Sequence, residues 1–181
     1  FYKAFSKLHC ISSHLEFFAR TPDLRNLILD QDIVFVGGGN TKSMLAVWNE
    51  WGLPNLLKQA YINGAVLAGV SAGAICWFNR GVTDSWANSL KIMDCLGFVD
   101  GNCCPHYDEE EERRPAVHKF LKNGKLEQCY AIEGGCAIHC VDGEIQNAVS
   151  FAPNKKAYVI TPHNGVITEN ELKNICIHQV F

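Results

Sequence analysis

The order of apolar and polar positions divides this chain into a front with helical and buried-strand patterns and a back that alternates. The opening "FYKAFSKL" sets Phe1, Phe5 and Leu8 at helical spacing and predicts part of an amphipathic helix. "CISSHLEFF" alternates Ile11, Ser13, Leu15 and Phe17 on one face and predicts a strand. "TPDLRNLILDQ" predicts a short helix, with Thr21 as its N-cap and Pro22 at the first helical position. "DIVFV", residues 32–36, is a continuous β-branched run of the kind buried on both faces of a sheet. It runs into "GGGN", residues 37–40, a sharp loop. "TKSMLAVWNEWG" reads as a helix with Thr41 near its start and Gly52 past its end. "PNLLKQAYING" repeats the pattern between Pro54 and Gly64. "AVLAGV", residues 65–70, predicts a second buried strand, followed by Ser71 and a helix from about Ala72.

Residues 79–100 carry turn formers and little periodicity, so they read mostly as loop. "GNCCPHYDEEEERRPAVHKFLKNG" predicts a short strand, a turn at Pro105 and a charged helix ending near Gly124. From Gln128 the period becomes two, with turn signals at Gly134-Gly135 and Asp142-Gly143, and "KAYVIT" and "GVIT" continue the pattern. Alternating β and α followed by an antiparallel meander predicts an α/β domain with a parallel central sheet and an antiparallel extension. No internal repeat or low-complexity linker interrupts it, and 181 residues suit one domain.

Composition narrows the partners. A net charge of -3 gives no electrostatic reason to expect nucleic acid or an anionic membrane surface. No apolar run approaches the roughly 18 residues of a membrane span. No basic region followed by an apolar one opens the chain, so a cytoplasmic location is expected. The nine cysteines are odd in number. Cys76, Cys129, Cys136, Cys140 and Cys176 sit in apolar settings and read as reduced, buried thiols. "CAIHC" (Cys136, His139, Cys140) and "CCPH" (Cys103, Cys104, His106) lack the paired spacing of a structural zinc site, so no metal is expected.

Parallel sheets bind ligands beyond the carboxyl ends of their strands, and three loops leave such ends here: "GGGN", "VSAG" and "CPHY". Gly69, Ser71 and Gly73 form G-x-S-x-G, whose small neighbours permit a strained strand-to-helix turn that exposes the hydroxyl. The next backbone N–H, that of Ala72, would face a developing oxyanion. The alternative is an ordinary capping serine. His106 follows a strand-like segment and is the candidate base, because a serine hydroxyl needs a group titrating near neutrality. His9, His14, His118, His139, His163 and His178 lie on predicted elements or distal loops. Asp84, an isolated acid in "GVTDSW", is the first choice for orienting the imidazole. Asp108, Glu109 and Glu110 are the other candidates, although acids there also suit a solvated helix N-terminus. "VGGGNTKS" is not a phosphate loop, since Thr41 stands where glycine would precede the lysine. Gly38 and Gly39 instead suit close backbone approach and a second oxyanion donor, with a purely structural turn as the alternative.

Taken in order, "VGGGNT", "AGVSAGAICWF", "GVTDS" and "CPHYDEE" resemble the peptidase E family of serine peptidases, which includes cyanophycinase. The resemblance spans nearly the whole chain. It implies the class I glutamine-amidotransferase-like fold, a three-layer sandwich around a mostly parallel sheet. It implies Ser71 as nucleophile, His106 as base, Gly39 and Ala72 as oxyanion donors, and Gly38 and Asn40 beside the substrate. For the acid, peptidase E carries an Asp slightly farther along and cyanophycinase a Glu, while Asp84 fits the "TDS" form. Aspartate-specific members need a cationic pocket, for which Arg113 and Arg114 are candidates by charge alone. Family members begin with two strands and a helix before anything matching Phe1. Residues 1–181 therefore read as one N-terminally truncated domain whose sheet exposes an apolar edge. The implied activity is hydrolysis of short peptides, aspartyl-X dipeptides among them, by a monomer or homodimer without cofactor. The rivals are an amidotransferase-type glutaminase, which would need cysteine at the elbow, and a catalytically inactive small-ligand or interaction module.

Overall fold

The computed structural model describes residues 13–15, 17, 20, 23–87 and 89–177. The opening helix and the cap at Thr21 and Pro22 lie outside them, as does most of the "CISSHLEFF" strand. Of that strand, Ser13, His14, Leu15 and Phe17 are described, and none is in a strand. Helix α1 (Leu24–Leu29) is capped by Asp23, whose carboxylate accepts from the N–H groups of Arg25 and Asn26. Strand β1 (Ile33–Val36) leads through the glycine loop into α2 (Thr41–Glu50), and α3 (Leu53–Ile62) follows. Gly52, at φ 67°, links the two helices in the left-handed conformation that glycine adopts without steric cost. Leu53, Leu57 and Ala60 fall on one face of α3 and are buried. Each leucine so buried stabilises the fold by about 2 kcal/mol.

Strand β2 (Val66–Gly69) lies parallel to β1, with Val36 opposite Gly69. The two form a sheet of their own. The β-branched run was expected to be buried on both faces. Its burial is one-sided instead: Ile33, Phe35 and Val66 are 51, 42 and 58% exposed. Continuous apolar runs do not say which face finds a partner.

Residues 79–100, expected to be mostly loop, are largely strand. Helix α4 (Ala72–Ile75) is one turn long, and β3 (Phe78–Trp86) starts almost at once, followed by β4 (Ser89–Asp94) and β5 (Val99–Cys104). The sequence conceals β3 because several of its residues are polar, and each of these has a partner that only the fold supplies. Arg80 Nε donates to Asn102 Oδ1 at 2.9 Å. The buried hydroxyls of Thr83 and Thr41 lie 3.3 Å apart. Gly81 lets the strand pass α4, since a Cβ there would lie 3.0 Å from Ile75 Cβ.

The back of the chain holds α5 (Arg113–Lys122), β6 (Cys129–Ile132), β7 (Cys136–Val141), β8 (Glu144–Ser150), β9 (Ala157–His163), β10 (Val166–Glu171) and β11 (Asn174–Cys176). It is not one meander. A six-stranded sheet runs β10-β9-β6-β5-β3-β4, parallel from β3 through β5 to β6 and antiparallel at both sides. The hairpin β7–β8 joins β11 in a separate three-stranded sheet. The fold is thus mixed α/β, with open sheets and a parallel centre. Burial pushes the Cys104 and Cys95 thiols up to about 12 and Cys140 to about 11, although Cys140 and Cys136, expected to be buried, are only half-buried. Cys176, expected to be buried, is exposed on the short edge strand β11.

Candidate active site

The loop after β1 lies against the end of β3. Asn40, just past β1, donates its side-chain N–H to Ser85 O near the end of β3, at 3.0 Å. The Lys42 N–H donates to Ser85 Oγ at 3.3 Å. Because β3 and β5 are parallel, with Gly81 opposite Cys103, the loop leaving β5 at Pro105 emerges beside the same edge.

Ser71 occupies the turn between β2 and α4 with φ 56° and ψ −117°, a conformation that L-residues rarely adopt. Its side chain makes no capping bond to the helix it precedes, which removes the capping-serine reading. Its carbonyl accepts from Ala74 and Ile75, and Val70 O accepts from Gly73. None of these bonds uses the N–H of Ala72. The elbow is possible because of two glycines. A Cβ on Gly69 would lie 2.2 Å from Gly73 O, and one on Gly73 would lie 2.2 Å from Val36 O. Gly38 sits directly against the serine, since a Cβ on it would be 3.3 Å from Ser71 Cβ. Gly39 has φ 149°, and Asn40 Oδ1 caps α2 by accepting from the Ser43 N–H.

His106 also has positive φ, 57°. Its Nδ1 lies 2.6 Å from Glu109 Oε2, and its carbonyl accepts from the N–H groups of Glu109 and Glu110. Gly134 makes room for that carboxylate, because a Cβ there would lie 2.2 Å from Glu109 Oε1. The structure thus brings His106 together with Glu109 and not with Asp84, the first choice from the sequence. The Asp84 side chain is 69% exposed, on β3, 3.7 Å from Arg113 Nη2. Glu110 pairs with Arg113 Nε at 2.7 Å. Ser71 Oγ and the imidazole share no hydrogen bond among the described residues.

Arg113 and Arg114 do not form a cationic pocket. Arg113 is buried, and its Nη1 donates to Val82 O at 2.9 Å, so it ties the histidine turn to β3. Arg114 pairs with Glu169 at 2.8 Å. A cleft of about 710 Å³ lies between the β3–β4 hairpin and the histidine turn, lined by Asp84, Trp86, Leu90, Glu110, Glu111 and Glu112 among others. Ser71 and His106 do not line it.

Asp108 accepts from the Gly134 N–H at 2.8 Å and pairs with Lys155. Burial pushes its carboxyl up, but the hydrogen bonds from Lys155 and Gly134 outweigh this and hold it below the usual carboxylate range. A carboxyl depressed in the folded state contributes stability above its unfolded value, about 3.9, and loses it as pH falls through the folded value. Urea unfolding is therefore expected to show a stability loss below about pH 4 that Asp108→Asn makes shallower. An unchanged acid limb in the variant would count against the contact.

The described residues thus combine a parallel-centred α/β fold, a strained serine after one strand and a histidine–carboxylate pair after another. The sequence model of peptidase family S51 matches residues 1–148. The chain is 44% identical over 176 residues to the uncharacterized peptidase YgaJ of Bacillus subtilis (strain 168), covering 97% of this chain and 74% of that protein. It is 26% identical over 147 residues to peptidase E of Haemophilus influenzae, covering 75% of this chain and 64% of that one. A crystal structure described as that of a peptidase E protein from Listeria monocytogenes EGD-e superposes with TM-score 0.58 over 95% of this chain and 76% of its own, at 18% identity, which shows the fold alone. The chain belongs to peptidase family S51 and is a peptidase. Among the described residues no helix is long and apolar enough to cross a membrane.

Proposed function

We propose that this chain is a serine-type peptidase of short peptides in which Ser71 is the nucleophile, His106 the base and Glu109 the carboxylate that orients it. The observation that carries the reading is the strained Ser71 elbow, whose hydroxyl is not spent on capping the helix. Strain of this kind, worth about 1–3 kcal/mol, persists at functional positions where the surroundings enforce it. Glu109 on Nδ1 favours the tautomer whose Nε2 can accept a proton. Ser71 Oγ attacks the scissile carbonyl and passes its proton to His106, which returns it to the leaving amine. Water then hydrolyses the acyl-enzyme by the same route. The N–H groups of Gly39 and Ala72 stabilise the oxyanion, each worth roughly 3 kcal/mol in comparable sites. Gly38 and Asn40 border the substrate, and no metal or organic cofactor takes part.

Neither Ser71 nor His106 lines the acidic cleft beside the histidine turn, so the peptide's side-chain preference is left to experiment. The test is a dipeptide library assayed together with labelling by a fluorophosphonate probe. Labelling at Ser71 and cleavage of at least one dipeptide are expected. No labelling and no cleavage would leave the chain an inactive binding module.

The two carboxylates separate cleanly. Glu109→Gln is expected to lower kcat/KM about 100-fold, since the amide disfavours the productive tautomer and cannot stabilise an imidazolium. Asp84→Asn should stay within about threefold of wild type, because the carboxylate is largely exposed and lies 3.7 Å from Arg113, not beside His106. Steady-state kinetics of both variants on one cleaved peptide decides it. The reverse order would restore Asp84 to the triad.

A further inference from the structure

We propose that Glu169, on β10, is a positioning residue for the His106 base and acts through Tyr107. The inference rests on the reading of His106 as the base. His106 holds a positive φ of 57°, which a non-glycine residue keeps only when its neighbours over-determine it. The neighbour that does so is Tyr107, covalently next to it. The Tyr107 N–H donates to Ile132 O at the end of β6, at 3.0 Å. Its ring is 2% exposed and packs 6.1 Å from the ring of Tyr158. Its hydroxyl donates to Glu169 Oε1 at 2.6 Å.

The carboxylate is itself fixed from helix α5. His118 Nε2 lies 2.7 Å from Glu169 Oε1, and Arg114 Nη1 donates to Oε2 at 2.8 Å. The Arg114 guanidinium also lies over the Tyr107 ring, 4.6 Å from its centre. A helix, the C-terminal hairpin of the six-stranded sheet and the histidine turn thus meet at one phenol. A shift of Tyr107 would re-aim the imidazole against Glu109, where the hydrogen bond is short and direction-dependent. Glu169 lies beyond residue 148, where the match to the family's sequence model ends. Its role is therefore supplied by a part of the chain outside that match.

Tyr107→Phe keeps the ring and its packing and deletes the phenol's bond to Glu169 together with its longer contact, 3.3 Å, to His118 Nε2. Two readouts test the inference: the rate of fluorophosphonate labelling at Ser71, and the proton resonance of the His106 Nδ1–Glu109 hydrogen bond. Tyr107→Phe and Glu169→Ala are each expected to slow labelling about tenfold. On a cleaved peptide they should lower kcat with KM within twofold. The double variant should be no slower than either single one, and Glu169→Gln, which keeps an acceptor for the phenol, should recover most of the rate. The His106 resonance should move or broaden in Tyr107→Phe. Wild-type labelling and an unchanged resonance in Tyr107→Phe would overturn the proposal, as would a raised KM at unchanged kcat. If the wild type itself is not labelled, the peptidase reading fails, and the resonance alone still decides whether Tyr107 and Glu169 position His106.

Discussion

Ser71→Ala is expected to lower kcat/KM for any cleaved peptide by about 10⁴-fold or more, because the remaining oxyanion donors and binding contacts cannot replace the nucleophile. The same variant should unfold within a degree or two of wild type on the order-of-magnitude scale of surface changes. The structural reason is specific. Ser71 Oγ caps no helix, and alanine places the same Cβ in the same strained conformation. Loss of turnover therefore cannot be blamed on loss of fold, provided thermal melting is measured beside the kinetics. Retention of more than a tenth of wild-type activity would remove Ser71 from the mechanism.

Gly73→Ala should have the largest effect on stability. The added Cβ would stand 2.2 Å from Val36 O, 2.6 Å from Val36 C and 2.7 Å from Val36 Cβ. Two of those atoms are backbone of a strand and cannot rotate away. The elbow must lift off β1, which should cost about 3 kcal/mol, the upper part of the usual range for overpacking. In a domain of this size that corresponds to a fall in Tm on the order of 10 °C. Gly37→Ala is the control, since nothing lies within 4 Å of its Cβ position. Equal melting temperatures for the two variants would mean that the close approach of elbow and strand does not matter. The Gly73 substitution should also reduce labelling at Ser71, since the elbow and the glycine loop would no longer face each other at their present spacing.

Much of the front half could be read from residue order. Helices α2 and α3 were predicted near their observed bounds, because Pro54, Gly52 and Gly64 punctuate them and apolar residues recur at helical spacing. The G-x-S-x-G pattern was equally legible, since its small residues sit within four positions of one another. The region around β3 and β4 was not. Its polar residues look like loop until Asn102, Glu127 and Thr41 are brought across from distant parts of the chain.

The carboxylate beside His106 shows the same division. Four acids were open from the sequence, and Asp84 led because it stood alone. What separates them is the company each keeps: Arg113 takes Asp84 and Glu110, Lys155 takes Asp108, and Gly134 leaves the space that Glu109 fills beside the imidazole. By itself the sequence marked the G-x-S-x-G turn, because Gly69 must clear Gly73 O only four residues on; the demand that Gly73 clear Val36 comes from the fold. Charge pairing and the burial of strand faces act between segments tens of residues apart, so the tertiary structure alone decided which acid lies beside His106, the division into sheets and the tie from Glu169 to the histidine turn.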